Sequence, residues 1–225
     1  MKNSTSPFLL VTLASVFLLA CYSASLSVLN TPTPQPTLAS VPAAVPTLSI
    51  TQPGSTEPLI ESGGDLQNEN LLVKIPPGFK IDYEDRQDNM VITEMVSENE
   101  SVNDWTTLVT VQIFLGMTDT TPDQYQENMT QAWSNACANS ESYPVASGNE
   151  NGYPFALWQL SCPINPSTQK VEYTYMKAIQ GNDSFYLTQV AFRFEPTNDD
   201  VTQWMNYLRE VIVCDTRIPE QACPQ

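Results

Sequence analysis

The stretch 170-KVEYTYMKAIQGNDSFYLTQVAFRF-194, followed by 197-TNDDVTQWMNYLREVI-212, decides the architecture. Two runs rich in β-branched and aromatic residues flank Gly181-Asn182-Asp183, the composition of a tight hairpin turn. Strands joined by so short a connection run antiparallel. The period then changes. Thr197 or Asn198 caps a helix, Asp199 and Asp200 sit in its positive first turn, and Val201, Trp204, Met205, Leu208, Val211 and Ile212 form one apolar stripe. A helix with a single apolar face needs a sheet to lie on.

The same reading extends upstream. "LLVKI" and "FKIDYE" are short strand signals separated by Pro76-Pro77-Gly78, "NMVITEMV" continues them, and "WTTLVTVQIFL" has the composition of a central strand. Thr121-Pro122-Asp123-Gln124 then combines a capping residue, proline at the first helical position and Gln three after the cap. Tyr125, Met129, Trp133 and Cys137 follow at four-residue spacing, with Ala132 and Ala136 beside them. "FALWQLSC" restores a strand before the hairpin. The order is three or four strands, helix, three strands, helix. It predicts an α+β domain over 71-225, an antiparallel sheet of six to seven strands packed by two amphipathic helices. "LVKIPPGFK" at the opening of the domain, a helix after the fourth strand and a closing helix after a long hairpin resemble the PsbP-like α/β/α sandwich. The resemblance covers residues 71 to 213 in element order and implies the fold. The chain carries no diagnostic motif of PsbP, so no metal or photosystem role follows. "TEMV…ESV…W" and "KAIQGNDSFY" are similar to stretches of exported bacterial proteins, which implies no activity.

Residues 1-20 read as a signal peptide. Phe8 to Ala20 is apolar or small and uncharged, long enough for a signal core and short of the roughly 20 residues that span a bilayer. Leu18-Leu19-Ala20-Cys21 resembles the lipobox of bacterial lipoproteins. The resemblance implies cleavage after Ala20, a diacylglycerol on Cys21 and an acylated amino terminus. One acyl chain holds a protein only reversibly, whereas three anchor it for good. Tyr22 stands where enterobacterial lipoproteins retained at the inner membrane carry aspartate, so the outer membrane, facing the periplasm, is expected. Residues 21-70 follow as a tether. Seven prolines in the 29 residues 30–58 break helix and sheet alike, and no Lys or Arg occurs between Asn3 and Val73. An extended tether of this kind reaches on the order of 100 Å.

Apart from Cys21 the chain holds Cys137, Cys162, Cys214 and Cys223, an even number that in an exported domain predicts two disulfides. Three connectivities are open. Local closure favours Cys214 with Cys223 across "DTRIPEQA", which leaves Cys137 for Cys162. A metal site finds no support, because there is no CxxC and no histidine anywhere in the chain.

Without its first 20 residues the chain holds eight basic against 25 acidic residues, a formal charge of −17. Nucleic-acid binding needs cations opposite phosphates and is excluded on this balance. The absence of histidine removes Ser-His-Asp and Cys-His chemistry, and no GxSxG, Walker or dinucleotide fingerprint occurs. Carboxylates remain. Glu94, Glu98, Glu100 and Asp104 cluster in "TEMVSENESVNDW", a strand end plus a polar loop that lacks the glycine and spacing of an EF-hand. Lys177 interrupts an apolar strand near Arg193 of the next, which makes the two a candidate anion-binding spot. The alternative is that they snorkel at a sheet edge or pair with Glu172 or Glu195. Trp105, Trp133, Trp158 and Trp204 read as core. The expected function is therefore a lipid-anchored envelope domain that binds or scaffolds an envelope protein without catalysis or cofactor. A small-ligand or cation-binding module, or an enzyme using Glu94 and Glu98, is the alternative.

Overall fold

The computed structural model describes residues 66–224. Every described residue belongs to one compact unit, Glu57–Gln225. The predicted signal peptide, Cys21 and most of the tether lie outside the described residues. The elements are β1 (Glu69–Leu72), β2 (Phe79–Gln87), β3 (Met90–Ser97), β4 (Thr107–Leu115), α1 (Pro122–Ala136), β5 (Glu141–Glu150), β6 (Tyr153–Cys162), β7 (Glu172–Gln180), β8 (Ser184–Phe192), α2 (Asn198–Glu210), β9 (Ile212–Asp215) and a 3-10 turn at Pro219–Gln221.

Seven strands form one antiparallel sheet in the order β2-β3-β4-β8-β7-β6-β5, and β1 pairs separately with β9. The hairpin that decides the fold closes as its sequence dictates, with Gln180 opposite Phe185. Both helices begin with complete capping boxes, Thr121 with Gln124 and Thr197 with Asp200. Each box satisfies helix-end N–H groups that otherwise have no partner.

Period-2 alternation sends the strand residues to opposite faces. On one face Trp204, Met205 and Leu208 of α2 pack on Met95, Val109, Leu157, Tyr175, Ile179, Val190 and Phe192, joined at the side by Leu71, Val73, Val211 and Val213. On the other, Tyr125 of α1 stacks near Phe185 at 4.9 Å, Phe114 at 6.1 Å and Trp158 at 6.4 Å. The helices thus sandwich the sheet, and the domain is the α+β architecture that the element order predicts.

Three details depart from the sequence reading. The apolar stripe of α2 stops at Leu208: Val211 is the C-cap and Ile212 opens β9, so the last two stripe residues lie beyond the helix. β5 is an additional strand. Its residues are exposed almost throughout, so it shows no one-sided pattern. Asn151 (φ 49°) and Gly152 (φ 82°) turn it into β6, the left-handed pair that an Asn-Gly hairpin favours. β1 begins at Glu69, inside the segment read as tether. The Glu69 carboxylate accepts the backbone N–H groups of Asn182, Asp183 and Ser184 and the Tyr186 hydroxyl. A Cβ on Gly181 would lie 2.2 Å from that carboxylate, so the hairpin glycine makes room for it.

Candidate functional site

Lys177 and Arg193 do not meet. Lys177 lies opposite Thr188 on the α2 face and is 2% exposed. Its ammonium pairs with Glu150 of the edge strand and donates to the carbonyls of Leu208 (3.1 Å) and Val211 (2.8 Å), with the Phe155 ring 5.1 Å away. Those carbonyls belong to the C-terminal end of α2, where the helix dipole favours a cation. Burial pushes the ammonium below the usual lysine range, against the pull of Glu150. All three donors are used. Lys177 caps a helix from the middle of the sheet, and its carboxylate partner is Glu150 rather than Glu172 or Glu195.

Arg193 sits on the α1 face, its guanidinium 3.8 Å above the Trp105 ring. Burial depresses it while Glu172, Asp104 and Glu100 pull the other way. Trp105 packs with Val96, Leu108 and Ala191, so the loop after β3 folds down over that end of the sheet. Arg193 Nε is buried without a hydrogen-bond partner. Glu100 is drawn into the same loop, accepting from the Thr106 amide and hydroxyl.

Between that loop and α1 the sheet is half-exposed along β2 and β3. Along β3 the residues toward α2, Val91, Thr93 and Met95, are buried, whereas Met90, Ile92 and Glu94 on the opposite face are half-exposed. Register sets four polar side chains in one row across four strands: Tyr83 opposite Glu94, Glu94 opposite Thr110, Thr110 opposite Gln189. The row continues beneath α1 as Met176 and Trp158. Desolvation raises the Glu94 carboxyl above the usual glutamate range, countered by a hydrogen bond from Thr110, with no cation contributing among the described residues. The Tyr83 hydroxyl donates to Asp85, at 3.2 Å. Glu94 is thus a half-buried carboxyl with no cation paired to it among the described residues. Tyr83, Thr110 and Gln189 carry no signal in the linear sequence, because only strand register brings them together.

Glu98 is exposed past the end of β3. It lies in the turn that follows the strand, outside the row that register builds around Glu94. The four cysteines form Cys137–Cys162, joining the end of α1 to the end of β6, and Cys214–Cys223, holding the tail to β9. A cleft of about 350 Å³ lies at the far end of the sheet, lined by Thr118, Gly152, Tyr153, Pro154, Gln180, Gly181 and Asn182. Its lining is neutral and holds no nucleophile beside a base.

No family profile matches the chain, and no curated protein matches it in sequence. Solved structures similar to it include the Ran-binding protein Mog1p of Saccharomyces cerevisiae, at 14% identity and TM-score 0.36, over 63% of this chain and 85% of that one. The cyanobacterial PsbP (CyanoP) of Synechocystis sp. PCC 6803 is similar at 9% identity and TM-score 0.36, over 69% and 96%. LpqN of Mycobacterium tuberculosis, described as involved in cell envelope biogenesis, is similar at 10% identity and TM-score 0.35, over 68% and 87%. Likeness at this level carries no activity from one chain to another.

Proposed function

We propose that the chain is a lipid-anchored protein of the bacterial cell envelope whose domain binds or scaffolds another envelope component without catalysis. The observation that carries this reading is the pairing of all four cysteines that follow Cys21 into two disulfides. Such pairs persist in an oxidising compartment, the destination that a leader ending in Leu18-Leu19-Ala20-Cys21 implies. No helix among the described residues is long and apolar enough to cross a membrane, and the acylated cysteine supplies the attachment. Three charged side chains serve structure: the buried Lys177 closes α2, the half-buried Glu69 closes a turn, and the buried Asp215 is held ionised by Arg217. The finer expectation, residence in the outer membrane facing the periplasm, rests on Tyr22.

Growth with a clickable palmitate analogue tests the anchor. Wild type should carry label and fractionate with membranes, and Cys21→Ser should lose the label. Label retained on the serine variant overturns the anchor. The non-catalytic reading is overturned if the purified chain turns over a defined substrate and Glu94→Gln abolishes that turnover.

A further inference from the structure

We propose that the row Tyr83–Glu94–Thr110–Gln189 on the half-exposed part of the α1 face is a docking surface for a partner-protein segment that presents lysine or arginine side chains. This deepens the reading above and rests on the domain being a binding domain.

Charge and shape on this face select that occupant. Glu94 is the central charge of the row, and among the described residues no cation pairs with it. Asp85 lies one row along, opposite Ile92. At the other border Glu100, Asp104 and Glu172 surround Arg193, which is already stacked on Trp105. Lys80 is ion-paired with Asp82 at 3.2 Å. The face therefore presents an excess of negative charge, within a chain whose formal charge without its first 20 residues is −17. A basic segment is steered toward such a surface, and like-charged partners are repelled.

The surroundings of Glu94 match the two-part build of a basic side chain. Met90 and Ile92, half-exposed beside it on β3, offer apolar surface to a methylene stem. The Tyr83 ring lies directly across the strand pair, where a cation can also rest against an aromatic face. Gln189, half-exposed, supplies a neutral hydrogen-bonding group for a partner backbone, while the buried Thr110 hydroxyl holds the Glu94 carboxyl from below. The row crosses three strand spacings, about 14 Å in all, the length of about four residues of extended chain. A half-buried carboxylate without a partner is costly, and an incoming cation relieves that cost where water does so only partly.

The test uses the full chain in neutral detergent and a fluorescently labelled, end-blocked (Gly-Lys)4 peptide, followed by anisotropy. Wild type should bind the peptide and not its N-acetyl-lysine counterpart. Glu94→Gln should weaken binding at least tenfold, and Glu210→Gln, an exposed acid on α2, less than twofold. Gln189→Lys should weaken it comparably while keeping the Glu94 carboxylate, which covers the case in which Glu94→Gln lowers the thermal midpoint. Absence of binding, equal weakening by Glu94→Gln and Glu210→Gln, or equal binding of the acetylated peptide each overturns the proposal. A chain that fails here yet captures an envelope component keeps the binding reading and loses only this surface.

Discussion

Lys177 on one face of the sheet and Glu94 on the other are both charged side chains drawn out of water in the middle of a strand, and they meet opposite fates. On the α2 face Lys177 is enclosed and its three donors are consumed by Glu150, Leu208 and Val211. On the α1 face Glu94 is half-exposed with only the Thr110 hydroxyl against its carboxyl. A buried charge with every hydrogen-bonding position filled is part of the fold, whereas one that is desolvated and unpaired remains available to a ligand. The difference lies in coverage. α2 and the β1–β9 pair close their face, while α1 and the loop of Trp105 leave the β2–β3 part of the other half-exposed.

The contrast can be tested from both sides. The largest effect is expected on the α1 side of the molecule, where Cys137–Cys162 ties the helix to the sheet. Replacing both cysteines by serine should cost about 3.5 kcal/mol for the loop they close, against about 2.6 kcal/mol for the shorter Cys214–Cys223 loop. Urea unfolding of the two double variants gives the order, and the reverse order would mean that the tail rather than α1 limits stability. Lys177→Met should cost about 3 kcal/mol. Breaking a buried pair costs roughly 3–5 kcal/mol, and Glu150, at 31% exposure, regains some hydration. If Lys177→Met is neutral in the same assay, Lys177 is not the cap described. Glu69→Ala should follow at about 2 kcal/mol, since it leaves three backbone donors and the Tyr186 hydroxyl without their acceptor. Amide exchange should quicken at residues 182–184 and leave the β2–β3 hairpin unchanged.

The smallest stability effect belongs to Glu94. Its carboxyl is raised in the folded chain, so the native state holds the proton more tightly than the unfolded state does. Stability on its account therefore falls as pH rises through the window between the ordinary glutamate value and the raised one. Glu94→Gln should match or exceed wild-type stability at pH 7, by no more than about 0.5 kcal/mol. It should also flatten the difference between pH 4 and pH 7. Glu172, raised by burial in the same direction, remains in both chains and cancels in the comparison. A Glu94→Gln variant less stable than wild type at pH 7 would show that the carboxylate has a partner after all, and the contrast between the faces would disappear.

Much of the fold is legible in local pattern. The hairpin at 181–183, the caps at Thr121 and Thr197 and the stripes of both helices depend on residues within a few positions of one another, so their chemistry is readable in line. β5 shows where that legibility ends. Exposed on both sides, it has no alternation to read, although Asn151-Gly152 announces its turn. The roles of Lys177 and Arg193 were not readable either. The sequence shows two cations in neighbouring strands, but their parity relative to the hairpin puts them on opposite faces.

The linear sequence determined the element types, the antiparallel hairpin and the pairing of helices with a sheet, because periodicity and capping are short-range properties of the chain. It also determined the strong acidity and the absence of histidine chemistry. Tertiary structure alone decided which charges are spent and which are left. Strand register assembles Tyr83, Glu94, Thr110 and Gln189 from distant segments, and helix placement determines how much water each side chain keeps.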